Sequence, residues 1–86
     1  MKNKVIVKIL VPEIDESYDV YLPINKKIGN IIELLNKSIN ELSNGNFPLS
    51  SNNVLYNADK KNIYQSDVLL ANTDIRNGTR LIILSR

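Results

Sequence analysis

Residues 27–45 read KIGNIIELLNKSINELSNG, and this stretch decides the architecture. Ile28, Ile31, Ile32, Leu35, Ile39 and Leu42 recur at offsets of three, four, seven, eleven and fourteen residues. That spacing places side chains on one stripe of a helix, not on one face of a strand. It predicts a single helix over residues 27–43. Asn44-Gly45 follows at once, and glycine takes the left-handed conformation that closes a helix, while Pro48 prevents its resumption. The start is less well marked: Lys26 and Lys27 face the positive end of the helix dipole, and Gly29 costs propensity in the first turn.

On the N-terminal side of the helix, residues 4–11 are β-branched or aliphatic apart from Lys4 and Lys8, and Pro12 ends any ladder that needs a backbone N–H. After an acidic, turn-like stretch over residues 12–17, residues 18–24 alternate, with Val20 and Leu22 on one face and Asp19 and Tyr21 on the other. These are two strands of a hairpin. Pro23 donates nothing to a central ladder, so the second strand is predicted at a sheet edge. On the C-terminal side, residues 53–56 form a short third strand, and residues 57–74 alternate turn residues with Ile63, Val68, Leu69 and Leu70. Asn77-Gly78 then turns the chain into Leu81-Ile82-Ile83-Leu84, a continuous apolar run suited to a central strand. A crossover through the helix permits this last strand to lie parallel beside the first. The expected fold class is α+β, a mixed sheet of four to five strands packed on one main helix.

Composition bounds the function. An 86-residue chain with 43% hydrophobic content encloses one modest core, so residues 1–86 are read as a single domain. There is no cysteine, which removes disulfides, thiolate metal sites and a cysteine nucleophile, and no histidine, which removes the commonest general base. The net charge of +2 comes from 11 basic and 9 acidic residues scattered along the chain, ordinary surface chemistry rather than a footprint for nucleic acid. Frequent asparagines such as Asn30, Asn36, Asn40, Asn52 and Asn53 are interrupted by periodic apolar residues, as on a globular surface. No long apolar run or cleavable leader is legible, so the expected location is cytoplasmic.

The remaining motifs favour plain readings over chemistry. Asp15-Glu16 is the one adjacent acidic pair and falls in a hairpin turn, where solvated acids are usual. Asp59, Asp67 and Asp74 do not follow a calcium-loop pattern. Gly29, Gly45 and Gly78 are too far apart for a phosphate-binding loop. Lys26 and Lys27 at the helix start, with Lys8, Lys60 and Lys61, define an alternative reading as a weak anion or nucleic-acid binding module, against the simpler one of solvated lysines. No cofactor, metal or catalytic residue is expected.

The element order, and several stretches within it, resemble ubiquitin and its relatives. Residues 19–35, with Val20, Leu22, Ile28, Ile31 and Leu35 apolar, are similar to the second strand and first helix of ubiquitin. Residues 54–84 resemble its second half: a short strand, a leucine-led turn at Leu70, an apolar anchor at Ile75 and a closing aliphatic strand. The resemblance implies a ubiquitin-like β-grasp. The chain departs from it in a longer helix-to-strand connection, in Thr73 where a tyrosine is common before the last strand, and in ending Leu84-Ser85-Arg86 where conjugating and sulfur-carrying relatives end in diglycine. A sulfur-carrier or protein-modifier domain is therefore the alternative that a lost tail would explain. Among bacterial proteins of this size, the chain is most similar to the YukD/EsaB-type ubiquitin-like proteins associated with type VII secretion. That resemblance implies a non-enzymatic cytoplasmic accessory or regulatory component that docks on a membrane-embedded secretion subunit.

Strand alternation names a docking face. With Val5 and Val7, Val54 and Tyr56, and Leu81 and Ile83 turned toward the helix, Ile6, Leu55, Ile82 and Leu84 are expected on the uncovered face of the sheet as a protein-binding cluster. The competing readings are a shift of one residue in register, which exchanges the two faces, cover by the long loop, and burial in a homodimer.

Overall fold

The computed structural model describes residues 3–48 and 52–85. Strands β1 (Lys4–Val11) and β2 (Glu16–Pro23) precede helix α1 (Ile28–Leu42), and strands β3 (Asn53–Asn57) and β4 (Arg80–Ser85) follow it. Short 3-10 turns lie at Pro12–Ile14 and Leu70–Asn72. The sheet order is β2-β1-β4-β3, with β1 and β4 parallel in the centre and antiparallel partners on either side. This is the mixed sheet on one helix that the sequence predicts, a β-grasp.

The hairpin forms because Pro12 stops β1 and Asp15, at φ 53, takes the left-handed position that reverses the chain. β2 lies at the edge, and Pro23 is its last residue, where the missing donor costs no ladder bond. α1 begins and ends within one residue of the predicted 27–43. Its stop follows the expected chemistry: Gly45, at φ +82, donates its N–H to the Asn40 carbonyl at 2.8 Å. Its start is satisfied in an unanticipated way, since the Ile28 and Gly29 N–H groups donate to the Val68 and Ser66 carbonyls, both at 2.9 Å. Gly29 matters for this approach, because a Cβ there would lie 3.2 Å from the Ser66 carbonyl oxygen.

One core fills the space between helix and sheet. Val7, Ile9 and Val11 of β1, Leu22 of β2, Leu55 of β3, and Leu81 and Ile83 of β4 meet Ile28, Ile31, Leu35 and Ile39 of α1. Leu70 and Ile75 close one end, as the resemblance to ubiquitin implies. Phe47 and Tyr64 complete the core from connections that sequence periodicity left polar or loose. Leu42, counted on the apolar stripe, is instead 59% exposed, at the last residue of the helix.

Candidate functional site

The face of the sheet turned away from α1 is the candidate site, and the register of the strands sets which side chains share it. β1 alternates with Val7 and Ile9 buried and Ile6, Lys8 and Leu10 outward; β4 alternates with Leu81 and Ile83 buried and Ile82 and Leu84 outward. Ile6, Ile82 and Leu84 are thus placed as expected. Leu55 is not: it is 0% exposed, sits opposite Ile83 in the ladder and belongs to the core. Val54 and Tyr56 take the outer positions instead, opposite Leu84 and Ile82.

The physical reason for this inversion of β3 is its pair of inward asparagines. Asn53 and Asn57 flank Leu55 on the buried face, where a plain hydropathy pattern would not place them. Both are satisfied there. Asn53 Nδ2 donates to Asn36 Oδ1 on α1. Asn57 Nδ2 donates to the Tyr64 hydroxyl at 3.1 Å, while its Oδ1 accepts the N–H groups of Asp59 and Lys60 at 2.9 and 2.8 Å. The one-residue shift confined to β3 exchanged its two faces and left β1 and β4 as predicted.

Cross-strand pairing then assembles an apolar row. Leu10 lies beside Ile82 in the parallel ladder, Ile82 beside Tyr56 in the antiparallel one, and Tyr56 bridges to Ile63, with Val54 and Leu84 paired in the next position. Ile63 is 55% exposed and the other five are half-buried. Ile6 does not join this row. Lys8 and Arg80, opposite each other, run between Ile6 and the apolar row, and each is held by an acid: Lys8 by Asp19 at 3.7 Å and Arg80 by Asp59 at 3.1 Å. Ile6, 38% exposed, pairs instead with Tyr21 on β2, beyond that charged band. The site is therefore an apolar row bounded by a nearly neutralised charged strip, with a smaller Ile6 and Tyr21 patch on its far side.

The other sequence candidates fall into structural roles. The N–H groups of Ile28 and Gly29 that an anion would need are already bonded to the Val68 and Ser66 carbonyls, so Lys26 and Lys27 gain no donors for gripping one from them. Asp15 and Glu16 are exposed in the hairpin turn. Lys60 bonds Asp74 at 3.1 Å and Lys61 occupies a left-handed turn position at φ 66. Thr73 makes local bonds of its own in the turn, donating to the Leu70 carbonyl at 2.7 Å and accepting from the Ile75 N–H at 3.2 Å. Among the described residues no three acidic side chains converge as metal ligands, and no helix is long and apolar enough to cross a membrane.

Tyr64, which sequence reasoning did not single out, organises the one perturbed titratable pair among the described residues. Its hydroxyl donates to Asp74 Oδ1 at 2.5 Å. Burial, then this bond, raises the Tyr64 phenol above its ordinary value, and the same bond, followed by Lys60, lowers the Asp74 carboxyl. Tyr64 lies in the core and not on the outer face, and the pair fastens a loop.

No family model matches the sequence, and no curated protein matches it. Solved structures do. Across 98% of its length the chain is similar to part of a protein in the "MycP5-free ESX-5 inner membrane complex, State II", at 22% identity and a TM-score of 0.70, and it spans only 21% of that protein. It is similar to Caldiarchaeum subterraneum ubiquitin over 96% of this chain and 94% of that one, at 12% identity and a TM-score of 0.68. A chain of the toluene 4 monooxygenase HD complex with the inhibitor 4-bromobenzoate matches at 10% identity and a TM-score of 0.76, covering 96% of this chain and 99% of that one. Together with the mixed four-stranded sheet on one helix, these likenesses show a ubiquitin-like β-grasp fold.

Proposed function

We propose that this chain is a non-catalytic, ubiquitin-like binding domain that docks through its outer sheet face on a larger protein assembly, as a cytoplasmic accessory component of a type VII secretion system. One observation carries the reading. Leu10, Ile82, Tyr56 and Ile63, with Leu84 and Val54 alongside, stand in adjacent register on a face that no helix covers among the described residues. Contiguous exposed apolar side chains of this kind often mark a protein interaction site. The secretion assignment is supported by the family resemblance of the sequence and by the likeness to part of an ESX-5 inner membrane complex protein. A domain that is one fifth of that larger chain fits a docking module within a membrane machine.

The test uses the full chain as bait against detergent-solubilised membranes of the source cells, comparing wild type with Ile82→Asp/Leu84→Asp. Both substituted positions are on the outer face, so circular dichroism is expected to report an unchanged fold. Each aliphatic side chain buried at an interface contributes about 1.5–3 kcal/mol, so losing two weakens binding by roughly two to four orders of magnitude. Secretion-complex subunits retained by wild type and absent with the variant are the expected result. Recovery of the same subunits by both baits would overturn the assigned face, and recovery of none by either would overturn the secretion reading.

A further inference from the structure

The two edges of the sheet are treated differently by the fold. The outer edge of β3 is occupied: Asn57 donates its N–H to the Asn62 carbonyl at 3.0 Å, and Tyr64 donates to the Leu55 carbonyl at 3.0 Å. The outer edge of β2 is open. Ile24 donates to the Asn3 carbonyl, and with Lys4 opposite Pro23 this phase turns Tyr18, Val20 and Leu22 toward β1. The N–H and C=O groups of Ser17, Asp19 and Tyr21 therefore point away from the sheet, and among the described residues none has a backbone partner. Pro23, with no N–H, ends this row of donors.

Charge selects what the edge accepts. Asp15, Glu16 and Asp19 lie on the hairpin, while no lysine or arginine occurs between Ile9 and Asn25, in a chain whose net charge is +2. Among the described residues the one cation paired with Asp19 is Lys8, at 3.7 Å with both side chains largely exposed. The two sides of the edge also differ: Asp19 and Tyr21 lie on the outer face, whereas Tyr18 and Val20 lie on the helix side, half-buried against the core. We infer that β2 accepts an added strand from a partner protein, an extended segment that alternates basic residues over Asp19 with aliphatic residues over Tyr18 and Val20. A second copy of the chain is a poor occupant, because its own β2 brings further acids and no cation to the same edge. This surface is separate from the apolar row of the outer face, so either reading stands without the other.

The experiment titrates the isotopically labelled full chain with a short end-capped peptide alternating lysine and valine, and with its glutamate and valine counterpart. Expected are NMR shifts and slowed hydrogen exchange at the Ser17, Asp19 and Tyr21 amides with the lysine peptide. Affinity should fall as salt rises and be at least tenfold weaker for the glutamate peptide. Asp19→Lys is expected to reverse that preference. Tyr21→Pro removes one outward donor and leaves the bonds to β1 in place, and is expected to abolish binding; Asp19→Lys decides the matter if this variant does not fold. The inference is overturned if those amides do not respond to millimolar lysine peptide, or if both peptides bind alike. It is equally overturned if the amides become protected with rising protein concentration alone, which would make a second copy the occupant.

Discussion

Tyr64 comes to the core from a loop, and its hydroxyl is what holds that loop in place: it donates to Asp74 and accepts from Asn57 Nδ2 at 3.1 Å. Tyr64→Phe keeps the ring and removes both bonds, and is expected to cost about 1–3 kcal/mol, since it leaves Asn57 with a buried donor unmet. The effect depends on pH in a definite direction. Asp74 has a lowered carboxyl pKa, first because Tyr64 donates to it and then because of Lys60. The folded state thus favours the ionised form, and this stabilisation is fully present above the unfolded carboxylate value near 3.9 and is lost as pH falls through the lower folded value. Urea unfolding at pH 7 and again near pH 3 should show the gap between wild type and Tyr64→Phe narrowing in acid. A gap of the same size at both values would mean that the lost Asn57 bond, not the Asp74 bond, carries the loss. At the alkaline end the raised Tyr64 phenol acts in the opposite sense: its contribution is complete below about pH 10 and is lost as pH rises through the folded value.

At the scale of single elements, β3 separates what the sequence discloses from what it does not. α1 was legible because six apolar residues repeat with one period and a glycine closes the run; β4 was legible because four consecutive aliphatics suit a central strand; the edge position of β2 was legible from Pro23 alone. β3 has five residues and offers Val, Leu and Tyr at successive positions, so either phase looks apolar. The phase is decided by Asn53 and Asn57, whose inward orientation depends on partners 17 and 7 residues away in sequence, Asn36 and Tyr64. No local pattern carries that information. Phe47 was hidden as well, since side chains at the helix end fix it in the core: its N–H donates to Ser43 Oγ at 3.0 Å and its carbonyl accepts from Asn40 Nδ2 at 2.8 Å. Of the residues expected on the outer sheet face, Ile6, Ile82 and Leu84 lie there and Leu55 does not, while Leu10, Val54, Tyr56 and Ile63, which the sequence reading did not put there, share it. Paired truncations check the phase directly. Leu55→Ala is expected to cost about 2–5 kcal/mol by opening a cavity in the core, and Val54→Ala about 1 kcal/mol or less. Thermal or urea unfolding that ranked the two in the opposite order would return β3 to the phase first read from sequence.

Across the whole molecule, stability is concentrated where the two ends of the chain meet. β1 and β4 are the central strands, and Lys8 lies opposite Arg80 in their parallel ladder, so the sheet closes only after nearly the entire chain has been gathered around α1. Asn77 and Gly78 extend that junction: Asn77 Oδ1 accepts the Ile6 N–H at 2.9 Å, and the Gly78 N–H donates to the Ile6 carbonyl at 2.8 Å. Gly78 has φ +88, a conformation that a side chain disfavours. Amides at this centre can open only when the sheet comes apart, whereas the open edge is exposed to water in the native state. Native-state hydrogen exchange should therefore rank the molecule from the middle outward. The amides of Lys8 and Leu10 on β1 and of Leu81 and Ile83 on β4, which face one another across the parallel ladder, are expected to exchange slowest, near the global unfolding limit. Along β2 the rates should alternate, with Tyr18, Val20 and Leu22 protected by β1 and Ser17, Asp19 and Tyr21 exchanging quickly between them. Uniform protection along β2 in dilute solution would show that its outer edge is already covered. Protection highest in α1 and lower in β1 and β4 would place the most stable unit in the helix instead of the paired chain ends.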